Sequence, residues 1–224
     1  MPGLVPGDRV TPTLRRIPRR VCLTLPVLLA ACSGIARPAG PGDVLFQDSF
    51  EHSSSGWDRY QGDDYRSDYS DGTYQIEVLL PRTDAWSTPG LVFGDVQIEV
   101  DARKLGGPDD NLFGVLCRYR DASNFYFFLI SSDGYAGIGM REEGTARLLS
   151  AETMEPHPAV ALGEAVNHLS VRCQGSSLDF SVNGIPVGSV SSSLWPEGDV
   201  GLIAGSYEEP GVVIEFDNFS VLQP

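Results

Sequence analysis

The chain has little positive charge and no long hydrophobic run. Its 224 residues hold 16 Lys and Arg against 30 Asp and Glu, a formal net charge of −14. Phosphate backbones are bound by clustered Lys and Arg, so this composition argues against nucleic acid as a partner. The apolar run at residues 21–31 has eleven residues, whereas a membrane-spanning helix needs about twenty. This run is too short to span a bilayer.

The sequence motifs of several kinds of catalytic site are also missing. The histidines are three, His52, His157 and His168, and none lies in an HExxH or another metal-ligand spacing or beside a nucleophile elbow. The four cysteines form no CxxC pair, which excludes the redox and zinc sites built on that spacing. Triad and zinc chemistry therefore have no support in the sequence.

The amino-terminal segment has the pattern of an export signal. Four arginines precede the short apolar run: Arg15, Arg16, Arg19 and Arg20. The run ends in Leu29-Ala30-Ala31-Cys32, which resembles the lipobox of bacterial lipoproteins. That resemblance implies cleavage before Cys32 and a diacylglyceryl group on its thiol. The alternatives are an ordinary signal peptide with a chance cysteine, or a buried core helix.

This resemblance predicts the organisation of the chain. We expect a signal peptide at residues 1–31, a Pro/Gly/Ala-rich tether at 32–42 and one folded domain at 43–224. Ser33 replaces the aspartate that would retain a lipoprotein on an inner membrane, so we expect an exported protein anchored at the outer face of a bacterial membrane. Removing residues 1–31 changes the formal charge to −18. The acyl chains, and not electrostatic attraction, would therefore hold the protein on anionic lipid.

Alternating apolar and polar residues predict strands throughout the folded domain. In TYQIEVLL the apolar positions are Tyr74, Ile76 and Val78, and VQIEVDAR repeats the pattern. Turn signals such as Glu143-Gly144 and Asn183-Gly184 separate the runs. No stretch of ten or more residues in this domain holds a clean helical stripe. Many short strands with regular turns predict an all-β sandwich or barrel.

Three segments of the domain carry a resemblance to a known fold. LFQDSFE, LDFSVNGIPV and the final GLIAGS with VVIEFDNFSV resemble the concanavalin A-like jelly roll, as in laminin-G-like modules and 3-keto-disaccharide hydrolase-like domains. The resemblance implies a two-sheet antiparallel sandwich whose first and last strands pair, with residues 46–50 beside residues 216–221. These motifs are signatures of fold, which alone does not specify function.

The cysteines left after signal cleavage and lipidation are Cys117 and Cys173, in the strand-like runs LFGVLCRYR and HLSVRCQG. Disulfides persist in the oxidising compartments to which exported proteins go. We therefore expect a bridge between neighbouring strands. The alternative is two buried free thiols.

Acidic residues suggest two further sites. Glycosidases of this fold carry a Glu-x-Asp-x-x-Glu strand, but Glu99-Val100-Asp101 has no third carboxylate in place. We therefore expect a charged strand face and no hydrolase site there. Clustered oxygen ligands in GGPDDN make Asp109, Asp110 and Asn111 candidates for calcium, although their spacing is not that of an EF-hand.

Strand alternation also predicts an open sheet face. If Cys117 points inward, Arg118 points outward, and the same alternation places Tyr135 and Arg141 outward beside two glycines. Sugar sites combine apolar contacts with a few fixed polar groups. We therefore expect a lectin-like module that binds an extracellular glycan without cleaving it, with these candidate contacts: Arg118, Tyr135, Arg141, Tyr126 and Trp86.

The competing hypothesis is an envelope lipoprotein that docks a protein partner through the same face. A concave groove with exposed aromatic rings favours a glycan, whereas a broad apolar patch without a pocket favours a protein. The strand NFYFFLIS, residues 124–131, is apolar on both faces. We expect it to be central in its sheet and well covered.

The lipoprotein assignment predicts the mature amino terminus. The mature protein should begin at Cys32 and carry acyl chains, and Cys32→Ala should block processing because it removes the acceptor thiol. Mass spectrometry of the mature terminus measures both. An unmodified cysteine, or a terminus at another residue, would contradict the assignment.

Overall fold

The computed structural model describes residues 39–224, so Cys32 and the proposed signal peptide lie outside the described residues. This part of the chain forms sixteen strands and no helix. Across residues 39–224 we find no helix of the length and apolarity that a membrane span requires. The strands are β1 (Val44–Asp48), β2 (Tyr60–Gln61), β3 (Tyr65–Ser70), β4 (Thr73–Val78), β5 (Asp84–Ser87), β6 (Val96–Gly106), β7 (Asn111–Asp121), β8 (Asn124–Ile130), β9 (Tyr135–Glu142), β10 (Thr145–Leu148), β11 (Glu155–Pro156), β12 (Asn167–Gln174), β13 (Ser177–Val182), β14 (Ile185–Ser191), β15 (Asp199–Ser206) and β16 (Val212–Leu222).

The strands form two antiparallel sheets. The nine-stranded sheet has the order β14-β13-β12-β6-β16-β4-β3-β2, with β1 also paired to β16. The seven-stranded sheet has the order β10-β9-β8-β7-β15-β5, with β11 paired to β9. The first and last strands pair as expected, with Phe46 opposite Val221 and Asp48 opposite Phe219. The all-β jelly-roll prediction is confirmed.

The main apolar core lies between the two sheets. Period-two alternation in β4 buries Tyr74, Ile76 and Val78, as the sequence predicts. From the other sheet, Ile138 and Met140 enter the same core. Full burial of a large apolar side chain contributes roughly 1.5–3 kcal/mol. The alternation therefore fixes which face of each strand turns inward.

Tight turns at two predicted positions set the register of their hairpins. Glu143 and Gly144 join β9 to β10 with φ of 50° and 82°, and Asn183 and Gly184 join β13 to β14 with φ of 51° and 76°. Two consecutive positive φ angles define a type I′ turn, whose twist matches that of the flanking strands.

Strand β8 is apolar on both faces and lies within the seven-stranded sheet, as predicted. Tyr126, Phe128 and Ile130 point into the main core. Alternate residues point the other way and join a second cluster on the outer face of the sheet. We call this the outer cluster, formed by Leu112, Leu116, Phe125, Phe127, Leu129 and Ile203.

The two outward glycines of β9 are covered, contrary to the open face that the sequence suggested. A Cβ on Gly139 would lie 2.2 Å from Cε2 of Phe127, so the ring lies directly over this glycine. A Cβ on Gly137 would lie 3.1 Å from Leu148 and 3.2 Å from Met154. The glycines admit bulky neighbours and do not leave a flat, empty surface.

Cys117 of β7 and Cys173 of β12 form a disulfide, with Cα atoms 6.9 Å apart. The predicted bond is confirmed, but its strands belong to different sheets. The bridge therefore crosses the core and does not join neighbouring strands. Strand alternation shows that both residues point inward, and carries no information on the sheet to which each belongs.

Loss of this bridge should destabilise the domain. The cysteines are 56 positions apart, and closing such a loop contributes about 4 kcal/mol in the chain-entropy model. The double variant Cys117→Ala/Cys173→Ala should lose about this free energy of unfolding, measured by urea denaturation. Reduced wild-type protein is the control, because it retains both sulfur atoms. A loss below about 1 kcal/mol in the double variant would contradict the prediction.

Candidate functional site

A cavity of about 370 Å³ lies against the outer cluster, on the face of the seven-stranded sheet opposite the core. This volume is in the range of small-molecule sites. Its floor is apolar and consists of Leu112, Phe125, Phe127, Leu129 and Ile203. Its walls and rim are formed by Asp84, Trp86, Arg141, Ala146, Arg147, Leu148, Glu152, Thr153, Met154 and Tyr207.

Aromatic side chains cross the intervening strands at this cavity. Trp86 lies on the edge strand β5 and Phe125 on β8, three strands further in, yet their ring centroids are 5.4 Å apart. Neighbouring strands are about 4.8 Å apart, so the backbones of β5 and β8 are separated by about 14 Å in a flat sheet. The two side chains therefore extend toward each other over β15 and β7, and their rings close one side of the cavity.

Arg141 from β9 reaches Trp86 across the outer face of the seven-stranded sheet. Its guanidinium carbon lies 5.5 Å from the centroid of the Trp86 ring. The negative face of an aromatic ring attracts a cation, so this contact orients the guanidinium. The Nε atom of Arg141 is buried and has no hydrogen-bond partner within residues 39–224. Arg141 therefore brings an unused donor to the cavity.

The carboxyl of Asp84 makes one side of the cavity acidic. Asp84 is an exposed residue, but the protein around its carboxyl displaces part of the water, and this desolvation raises its pKa, while the charge of Arg141 lowers it. Burial also raises the pKa of the Tyr207 phenol, and the negative charges of Asp110 and Asp84 add to that rise. The cavity thus has a carboxyl group at Asp84, a neutral phenol at Tyr207 and a cationic group in Arg141.

The structure brings Trp86 and Arg141, two of the predicted ligand residues, together in this cavity. Tyr135, which is 39% exposed, lines an adjoining depression of about 440 Å³ that shares Met154 and Tyr207 with the cavity. It lies beside the site and does not line it.

Arg118 does not face the outer surface, and its prediction as a ligand residue is wrong. Strand pairing shifts register between Cys117 and Asp121, and Arg118 itself has a φ of 52°. This bulge breaks the alternation and turns the side chain inward, where it is 1% exposed. The guanidinium donates to the carbonyl oxygens of Gly175 and Trp195, both at 2.9 Å, and lies 3.2 Å from a carboxylate oxygen of Asp95.

Tyr126 is also unavailable to a ligand. It is fully buried in the main core, because it alternates with the outward residues of β8. Its hydroxyl lies 2.7 Å from the Ser192 hydroxyl and accepts from the Leu194 amide at 3.2 Å. Because the ring is buried and the hydroxyl is hydrogen-bonded within the protein, the predicted ligand contact is wrong.

Two of the three calcium candidates are bonded within the protein. The side-chain oxygen of Asn111 accepts from the Ser132 amide at 3.1 Å, and its amide donates to the Pro108 carbonyl at 2.7 Å. Asp109 pairs with Lys104. Within residues 39–224 no group of three His, Cys, Asp or Glu side chains is placed to hold a metal ion. A calcium site at Asp109, Asp110 and Asn111 stays a prediction.

The partial glycosidase motif lies in β6 of the nine-stranded sheet, away from the cavity. Asp101 lies 2.8 Å from Nδ1 of His168 and accepts from the Asn218 amide at 2.9 Å. Glu99 accepts from Gln97 at 2.7 Å. These carboxylates form a hydrogen-bonded strand face, as expected.

Sequence reasoning did not assign Asp84, Met154 or Tyr207 to the site. Asp84 lies two residues before Trp86, and strand alternation puts both on one face, so a usable signal was present. Met154 lies between β10 and β11, where no periodicity indicates its direction. Tyr207 follows β15, and there too no periodicity indicates the direction of the side chain.

Comparisons with known proteins show the fold. No family model matches the chain, and no curated protein matches it in sequence. Among solved structures, the carbohydrate-binding module CBM66 from Bacillus subtilis has a TM-score of 0.60 and 18% identity, over 75% of this chain and 96% of that one. A galectin-like protein of unknown function from Bacillus subtilis has a TM-score of 0.58 and 13% identity, over 82% and 97%. The catalytic domain of an endo-1,3-beta-glucanase (laminarinase) from Thermotoga petrophila RKU-1 has a TM-score of 0.58 and 10% identity, over 81% and 98%.

The buried position of Arg118 predicts a structural role. Arg118→Met should lower the free energy of unfolding by about 3 kcal/mol, because it leaves two carbonyls without their donor. Arg120→Met, two residues away and exposed, is the matched control and should change it by less than about 0.5 kcal/mol. Thermal and urea denaturation measure both. Equal effects of the two substitutions would contradict this role.

Proposed function

We propose that this protein is a non-catalytic module that binds an extracellular glycan in the cavity on the outer cluster. A lipid on Cys32 would hold it at the outer face of a bacterial membrane. The observation that carries the proposal is the concave cavity itself, in which an apolar floor adjoins Trp86, Arg141 and Asp84.

The chemistry of the cavity suits a sugar. A pyranose ring presents apolar C–H groups on its faces and hydroxyl groups at its edge, so its binding needs both apolar contact and fixed polar groups. The floor residues supply the apolar contact, Asp84 an acceptor for hydroxyl protons and Arg141 a donor for oxygen atoms. A wholly apolar ligand would leave both charged groups unused.

The shape of the site favours a glycan over a protein partner. Docking of an envelope protein would call for a broad apolar patch without a pocket. The outer cluster is instead enclosed by Trp86, Leu148 and Met154, which leave a bounded cavity. The similarity in fold to a carbohydrate-binding module and to a glucanase also supports a glycan ligand.

Glycan hydrolysis is the second candidate function, and one observation favours it. Two carboxyl groups, Asp84 and Glu152, line the cavity. Desolvation raises the carboxyl pKa of Asp84, which is the change that a general acid needs. Chromatography of a glycan after incubation with the protein tests this function, since cleavage produces shorter oligosaccharides.

Substitutions in the cavity should weaken glycan binding. Trp86→Ala removes a wall of the site and Arg141→Ala removes its donor, so each should raise the Kd at least tenfold, about 1.4 kcal/mol. Isothermal titration against plant, fungal and bacterial polysaccharides measures the effect.

Tyr60→Ala is the matched control for the loss of an aromatic ring. Tyr60 is 41% exposed and lies in β2 of the nine-stranded sheet, so this variant should bind as the wild type does. Circular dichroism verifies that all variants fold. If no glycan binds and an envelope protein is recovered through the same face, protein docking replaces this proposal.

A further inference from the structure

The described chain has few cations, and most of them are neutralised by acidic partners. Residues 39–224 contain one lysine and nine arginines. Seven of these ten side chains lie within ion-pair distance of a carboxylate: Arg59, Arg66, Arg82, Arg103, Lys104, Arg118 and Arg147. In so acidic a chain, a cation without a carboxylate partner is the exception.

Arg141 is such an exception, and it lies in the cavity. Its guanidinium forms no ion pair and no side-chain hydrogen bond with any residue from 39 to 224, although Asp84 lines the same cavity. Arg118 also has an unpaired Nε, but its other nitrogens bind three acceptors and it lines no cavity described above. Protein covers Nε of Arg141, so the donors open to a ligand in the cavity are its Nη groups, which form no side-chain hydrogen bond within residues 39–224.

The geometry points to a carboxylate as this acceptor. The planar guanidinium presents parallel N–H donors, which match the two oxygens of a carboxylate and bind them more strongly than neutral hydroxyls. The contact with Trp86, 5.5 Å from the ring centroid, orients the group before a ligand arrives. A guanidinium that is already oriented favours a planar anion with two oxygen atoms, such as a carboxylate.

We infer that the glycan contains uronic acid residues and that Arg141 binds the carboxylate of one of them. This inference rests on the proposed glycan-binding function and specifies its ligand class. The apolar floor packs against the C–H groups of the sugar ring, while the carboxylate turns toward Arg141.

The acidic residues around the cavity set the direction and the charge density of the ligand. Asp84 repels a carboxylate at its own side, so the ligand enters with its anionic group toward Arg141. The whole chain has a formal net charge of −14, which disfavours densely charged polyanions. A glycan in which neutral sugars separate the uronates has a lower charge density and is therefore repelled less by this negative chain.

Paired probes test the inference on the full mature protein. One probe is an oligosaccharide in which glucuronate alternates with a neutral sugar, and the other is the same oligosaccharide with its carboxyl groups reduced to primary alcohols. Isothermal titration should show at least tenfold weaker binding of the reduced form. Arg141→Gln should weaken binding of the acidic form by a similar factor. Arg141→Lys should retain only part of the binding, because an ammonium lacks the paired, planar N–H donors of a guanidinium.

A matched control variant completes the test. Arg172→Gln is the matched control, since Arg172 is exposed and lies in β12 of the nine-stranded sheet, away from the cavity. It should change binding by less than about threefold.

The outcomes separate this inference from the function on which it rests. Equal binding of the acidic and reduced probes, or a loss in Arg172→Gln but not in Arg141→Gln, would overturn the uronate assignment and leave glycan binding intact. Failure of both probes and of the neutral polysaccharides would overturn the glycan-binding function as well.

Discussion

The seven-stranded sheet is apolar on both faces, and the need to cover its outer face shapes the rest of the site. Phe125 and Phe127 alternate with core residues along β8 and point away from the core. Burial of apolar surface contributes about 25 cal/mol per Å², which favours packing of Trp86, Leu148 and Met154 over these rings. The cover is incomplete, and the space that remains is the cavity.

A buried cation, Arg118, helps to hold the two sheets together. Arg118 follows Cys117, whose disulfide ties β7 to β12 across the core. Its guanidinium then binds carbonyls of Gly175 and Trp195, which lie in segments following β12 and β14. The bulge at Arg118 thus places a covalent link and a polar link side by side.

Alternation in the sequence predicted the strands and part of the site, and the resemblance to the concanavalin A-like jelly roll predicted how the strands are arranged. Tyr74, Ile76 and Val78 follow a strict period of two, and a regular strand keeps that period. Arg118 was misplaced because a bulge shifts the period by one residue, and nothing in LFGVLCRYR indicates a bulge. Tyr126 was misplaced because its strand is apolar on both faces, so its direction depends on contacts with the other sheet. Met154 reaches the cavity from an irregular segment, where only the folded chain determines position.

The burial of Lys104 has a chemical consequence for a protein that is proposed to bind sugars. Lys104 is the one lysine of the chain; it is 7% exposed, donates to the Gly107 carbonyl at 3.0 Å and pairs with Asp109. Reducing sugars modify proteins by condensing their aldehyde with an amine. Because protein covers the Lys104 amine, the aldehyde of a sugar cannot reach it. The folded part of the chain therefore offers no accessible lysine to the class of molecule that it is proposed to bind.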